Sequence, residues 1–147
     1  MIGIIVCGHG NLPREFVRAA ETICGTQENL CAISVQMWED ADTVRRHYEE
    51  AIEALGASDG VLFLCDVFGG TPFNEASRLV AAHDSYGIVT GINLPLLIEL
   101  LTSRRKYDGT VSMRNLLAEI KRMAHEGIAS LHMDDLDEEV LTNGFAS

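Results

Sequence analysis

Two short stretches of this chain carry the residue types most able to do chemistry. In "IIVCGHGN" (4–11) a histidine lies between two glycines where an apolar run stops, and in "CDVFGGTPF" (65–73) an aspartate precedes paired glycines. A neutral imidazole attacks a phosphorus atom through one ring nitrogen only if the other nitrogen carries the proton. A carboxylate accepting a hydrogen bond from that second N–H fixes the tautomer and stabilises the positive charge that grows during attack. His9 suits the role of nucleophile and Asp66 that of orienting acid. The phosphoryl oxygens need donors, and backbone N–H groups at helix starts supply them. Gly10, Gly69 and Gly70 let the main chain approach without a Cβ, and Thr71 adds a hydroxyl. On this reading the histidine is flanked by glycines because a bulky donor must reach its ring. Taken singly, each residue has a plainer use, as a polar loop histidine or a turn aspartate. Their joint placement is what argues for catalysis.

That placement depends on the elements around them. Residues 2–7 read as a strand buried on both faces, being short, continuous and β-branched. Phe16, Val17, Ala20 and Ile23 recur at helical spacing from Leu12 to about Ile23, with Gly25 as the stop. A second strand spans Leu30–Val35, and Asp40 or Asp42 caps a helix that reaches Leu55 before Gly56. Residues 61–65 form another apolar strand. Thr71 followed by Pro72 signals a helix start, hydroxyl at the N-cap and proline at the first helical position, running to about Ala82. Tyr86–Thr90 is a further strand, Asn93 opens a helix to about Thr102, and Val111–His125 is another, stopped by Gly127. Ile128–His132 is expected to be a last strand. The alternation implies an α/β fold, a doubly wound and mainly parallel sheet with helices on both faces. In such sheets ligands bind beyond the carboxyl ends of the strands, where strand order reverses. The loops after the first and third strands are therefore the ones expected to meet.

Composition narrows the chemistry. The chain has 147 residues, enough for one domain, and 47% are hydrophobic. A formal charge of −11 argues against nucleic acid and against adhesion to anionic lipid. No apolar stretch has the length of a membrane span, and no basic segment precedes the first strand, so a cytoplasmic location is expected. Cys7, Cys24, Cys31 and Cys65 show no C-x-x-C pairing and read as small core hydrophobes in a reducing compartment. Cys7 and Cys65 end neighbouring strands, but their spacing is not that of a structural zinc site, and neither metal nor cofactor is expected. There is no P-loop for nucleotide phosphates and no G-x-S-x-G elbow, and Gly8–Pro13 lacks the third glycine of a dinucleotide fingerprint. Any phosphoryl group must arrive from elsewhere.

"IIVCGHGNL", "GVLFLCDVFGGTPFNEASRL" and "VTGINLPLLIELL", in that order, resemble the mannose-family enzyme IIA of the bacterial sugar phosphotransferase system, its galactosamine and N-acetylgalactosamine branch most of all. "GTQENL" at 25–30 fits the bend after the first helix in that family. The likeness covers residues 1–132, and D-x-x-G-G-[ST]-P-F is its specific part. It implies that His9 accepts a phosphoryl group through Nε2 from the phosphorylated histidine carrier protein and passes it to enzyme IIB. Enzyme IIB then phosphorylates the sugar as the membrane components import it. It implies that Asp66 orients His9, that Thr71 stands beside the phosphoryl group, and that metal takes no part. It further implies a homodimer that exchanges its last strand, here Ile128–His132. Pro13-Arg14 and Val67-Phe68 depart from the family pattern at the rim of the site.

The remaining histidines, His47, His83, His125 and His132, read as surface or satisfied core residues. Met37-Trp38 suits either core packing or an apolar rim for a docking protein. Residues 1–133 form the carrier domain on this reading, and 134–147 an acidic, solvated tail or loose turn. A histidine phosphatase would want Arg-His-Gly, where this chain has glycine at position 8. A receiver would want an acidic pair after the first strand. The phosphotransfer subunit of a dihydroxyacetone kinase, and a non-catalytic regulatory module of the same fold, are the nearer rivals.

Overall fold

The computed structural model describes residues 1–144 of the chain. Four strands, β1 (Gly3–His9), β2 (Leu30–Val35), β3 (Val61–Cys65) and β4 (Tyr86–Thr90), form one sheet in the order β2-β1-β3-β4. Every pairing is parallel, with Cys7 opposite Cys65 and His9 opposite Val35. The helices are α1 (Leu12–Cys24), α2 (Ala41–Leu55), α3 (Gly70–Ala81), α4 (Leu94–Ser103), α5 (Met113–Glu126) and α6 (Glu138–Asn143).

Both faces of the two central strands are covered, which is why their sequences are apolar runs rather than alternations. Ile4, Val6, Leu62 and Leu64 face one core, shared with Ala20 of α1, Leu97 of α4 and Ile120 of α5. Ile5, Cys7, Phe63 and Cys65 face the other, shared with Val44 and Tyr48 of α2 and Ala76 of α3. The doubly wound, parallel α/β arrangement expected from the sequence is the fold observed.

Three expectations differ from the structure. Ile128–His132 forms no strand: it follows α5 as irregular chain, with Ile128 and Leu131 exposed. A strand needs a ladder partner to exist, and this segment pairs with none of the described strands. Thr71 is not the N-cap of α3. Gly69 holds that place at φ +86°, and no side chain caps the helix; the two glycines make the turn with backbone alone. Beyond Asp134 the chain is not wholly irregular. A single 3₁₀ turn (Met133–Asp135) and the short α6 occur there, the latter capped by Asp137 accepting from the N–H of Val140 at 2.8 Å. The last part of the expected tail, residues 145–147, lies outside the described residues. Among the described residues, no helix is long and apolar enough to cross a membrane.

Candidate functional site

His9 is the last residue of β1, and Asp66 follows the last residue of β3. Because β2 lies on one side of β1 while β3 and β4 lie on the other, the strand order reverses between these two ends. A crevice opens there for topological reasons. The backbone holds the two residues together, the Asp66 N–H donating to the Cys7 carbonyl at 3.3 Å, while the Gly10 N–H ties the end of β1 to β2 through the Val35 carbonyl at 3.0 Å.

Asp66 grips His9 twice. Its Oδ2 lies 2.8 Å from Nδ1 of the imidazole and accepts the main-chain N–H of the same residue at 2.9 Å. Its Oδ1 accepts from the N–H of Val67 at 2.8 Å. Burial alone pushes the Asp66 carboxyl upward, but the hydrogen bonds from His9 and Val67, with the nearby imidazole, outweigh it and hold it below the ordinary value. An ionised carboxylate is an acceptor only, so Nδ1 carries the proton and Nε2 keeps the lone pair. The imidazole side chain is 54% exposed and the carboxylate 11%. The carboxylate is sheltered and the imidazole open.

The structure revises the reason for the glycines. A Cβ at Gly8 would stand 2.7 Å from Cγ and Oδ2 of Asp66. Position 8 therefore makes room for the orienting carboxylate, a role that sequence reading missed. Its only trace in sequence is the glycine one residue before the histidine, on a strand paired with the one that ends at Cys65. Gly10 has open space around it and is needed for its backbone, at φ +59°. A Cβ at Gly70 would lie 3.5 Å from Cε1 and Nε2 of His9, so this glycine does keep the approach to the free nitrogen clear.

The starts of α1 and α3 flank the imidazole. Neither is capped by a side chain: Asn11 before α1 and Gly69 before α3 make no such hydrogen bond. First-turn N–H groups have no partner within the helix and carry the positive end of its dipole. Of the residues at the start of α3, Gly70 lies beside Nε2, and Thr71 follows it half-buried in the first turn.

Around the site the surface is apolar. Met37 and Trp38, which follow β2, are 101% and 82% exposed, and Leu12, Val67 and Phe68 are exposed as well. Phe68 leans on Phe73 with ring centroids 4.6 Å apart. Met37 and Trp38 therefore belong to the rim rather than the core. Pro13, by contrast, is buried in the first turn of α1 and leaves Arg14 alone to face outward. Cys7 and Cys65 lie directly below, their Sγ atoms 2.9 Å apart in a buried thiol contact, and all four cysteines are free. Among the described residues, no group of three or more His, Cys, Asp or Glu side chains could hold a metal ion. The other histidines sit apart from the site: Nδ1 of His83 lies 2.9 Å from the Leu79 carbonyl, and that of His47 lies 3.5 Å from Glu39.

Fold and site together define a doubly wound α/β protein that presents an acid-paired histidine at its topological switch point. The family described as "PTS system fructose IIA component" matches residues 3–121, and the chain belongs to it. It is 35% identical over 130 residues to the PTS system mannose-specific EIIAB component of Escherichia coli (strain K12), covering 88% of this chain and 39% of that protein. The chain thus spans about two fifths of that relative. It is 32% identical to the PTS system fructose-specific EIIA component of Bacillus subtilis (strain 168), covering 91% of this chain and 90% of that one. Among solved structures, the phosphotransferase system component EIIA from Streptococcus agalactiae superposes with a TM-score of 0.78 at 30% identity. That match covers 88% of this chain and 97% of the other.

Proposed function

We propose that this protein is a phosphocarrier of a sugar phosphotransferase system, working through a phosphohistidine at His9. The observation that carries the reading is the pair itself, with Nδ1 held at 2.8 Å by Asp66 and Nε2 left free on an open face. In the first half-reaction Nε2 forms a bond to phosphorus as the phosphorus–nitrogen bond of the phosphorylated histidine carrier protein breaks. The proton stays on Nδ1, and Asp66 offsets the charge of the imidazolium-like product. The phosphoryl oxygens turn toward the starts of α1 and α3, where Gly69, Gly70 and Thr71 supply backbone donors and a hydroxyl; the N–H of Gly10 is held by the Val35 carbonyl, so this glycine serves by leaving the phosphoryl group room. In the second half-reaction the phosphorus–nitrogen bond breaks toward a nucleophile of enzyme IIB, and His9 returns to its resting tautomer.

The apolar rim of Leu12, Met37, Trp38, Val67 and Phe68 supports macromolecular partners rather than a small substrate, since such residues anchor protein interfaces. A cytoplasmic location, where two protein partners could reach the open face of His9, forms part of the same proposal. The kinase-subunit reading is not favoured, because the relatives carry sugar-transport names. A homodimer joined through Ile128–His132 also forms part of the proposal. The outer edge of β4 is unpaired among the described residues, and Ile128, Leu131 and Met133 stand exposed beyond α5. Residues 134–147 are then an appendage to a carrier domain of residues 1–133.

Mass spectrometry after incubation with phosphoenolpyruvate and the purified general carriers tests the function. A single acid-labile phosphoryl group is expected on the wild type and none on His9→Ala. A label that survives acid, or persists in His9→Ala, refutes it.

A further inference from the structure

We propose that Tyr48 of α2 is a positioning residue for the reaction at His9, acting through the first turn of α3; this rests on the phosphocarrier reading above. A phosphoryl group on Nε2 faces the start of α3, where Gly70 lies against the imidazole. That start has no side-chain cap, and its two glycines, at φ +86° and +80°, are the most pliable residues at the site. Whatever holds it in register with His9 must come from another element.

Tyr48 supplies the hold. Its hydroxyl donates to the carbonyl of Pro72 at 3.0 Å, entirely out of contact with water. Its ring packs on Phe63 of β3, with centroids 5.4 Å apart. One side chain therefore links the strand that leads to Asp66 with the helix turn that faces Nε2. A phenylalanine would fill the same space without the cost of burying a hydroxyl, so the hydroxyl's contribution is this bond. Burial pushes the phenol upward, which keeps it a donor across the working pH range. A second tie runs parallel one turn outward. Arg45, three residues before Tyr48, places Nη1 3.2 Å from Oε2 of Glu75, three residues after Pro72, and Glu75 is itself buried. α2 is a firm anchor for both, since Asp40 caps its start at 2.7 Å from the Thr43 N–H.

Single-turnover transfer from the phosphorylated histidine carrier, the ³¹P resonance of the phosphorylated protein, and melting temperature test this together. Tyr48→Phe is expected to melt within about 4 °C of the wild type, yet to transfer about tenfold more slowly, because misplacement of a fraction of an ångström is costly at the reacting centre. Its ³¹P resonance should move, since the donors around the phosphoryl oxygens shift. Tyr107→Phe, which removes a buried phenol hydroxyl beside Ile2 at the far end of the sheet, should leave rate and resonance unchanged. Arg45→Met cuts the outer tie without touching the ring and should slow transfer about twofold, which keeps the test decisive if Tyr48→Phe folds poorly. Wild-type rate and resonance in folded Tyr48→Phe, or in Arg45→Met should the former not fold, overturn the proposal. A wild type that takes up no phosphoryl group overturns it together with the reading it rests on.

Discussion

α1, α2, α3 and α4 each begin after a strand, at the carboxyl edge of the sheet, yet they end their backbones in two different ways. α2 and α4 close themselves: Asp40 accepts from Thr43, and Asn93 accepts from the N–H of Leu96 at 2.9 Å. α1 and α3 do not, and these are the two that border His9. A satisfied N-cap contributes about 1 kcal/mol of stability. The open pair forgoes that contribution and keeps donors free for an anion instead. Helix starts on the same edge thus divide into structural ones and one pair available to a ligand.

Asp66→Asn should break the open side most severely. The amide would present an N–H₂ to Nδ1 or lose its bond there, favouring the tautomer with the proton on Nε2 and removing the attacking lone pair. A fall of about 100-fold in single-turnover phosphoryl transfer is expected, with the melting temperature little changed at neutral pH. Gly70→Ala comes next: it adds a methyl group 3.5 Å from Nε2 and forces alanine to φ +80°. Transfer should drop about tenfold, with a stability loss of about 1–2 kcal/mol visible in urea titration.

Asn93→Ala probes the closed side. It should cost about 1 kcal/mol in denaturation experiments and leave the transfer rate untouched; a slowed reaction would erase the distinction between the two classes of helix start. The smallest effect is on the pH profile of stability. Asp66 titrates below its unfolded value in the folded protein, so its stabilising contribution is complete above about pH 4 and is lost as pH falls through the folded value. Thermal melts from pH 7 to pH 3 should therefore decline less steeply for Asp66→Asn than for the wild type.

Much of the α/β frame was legible because buried parallel strands write themselves as unbroken apolar runs. Val61–Cys65 coincides with its expected limits for that reason, and Leu30–Val35, half-buried at the sheet edge, keeps its expected limits as well. His9 and Asp66 were legible because each stands where such a run stops. Gly8 was misread, since a glycine's purpose is visible only when the side chain occupying its Cβ space is known. Thr71 was misread as a cap because the Thr-Pro signal is local, whereas the turn at Gly69-Gly70 is shaped by what lies across from it. Tyr48 gave no signal at all: a tyrosine on the apolar face of a helix looks like core, and its hydrogen bond spans 24 residues of chain.

The sequence by itself determined the order of the four sheet strands and of the helices between them, the loops that follow β1 and β3, and the family, because periodicity, glycine and proline act over a few residues. Only the tertiary structure decided how Asp66 holds Nδ1 of His9, which helix starts stay open, and what lies behind the first turn of α3. Those depend on distances between segments far apart along the chain, which packing alone brings within reach of a hydrogen bond.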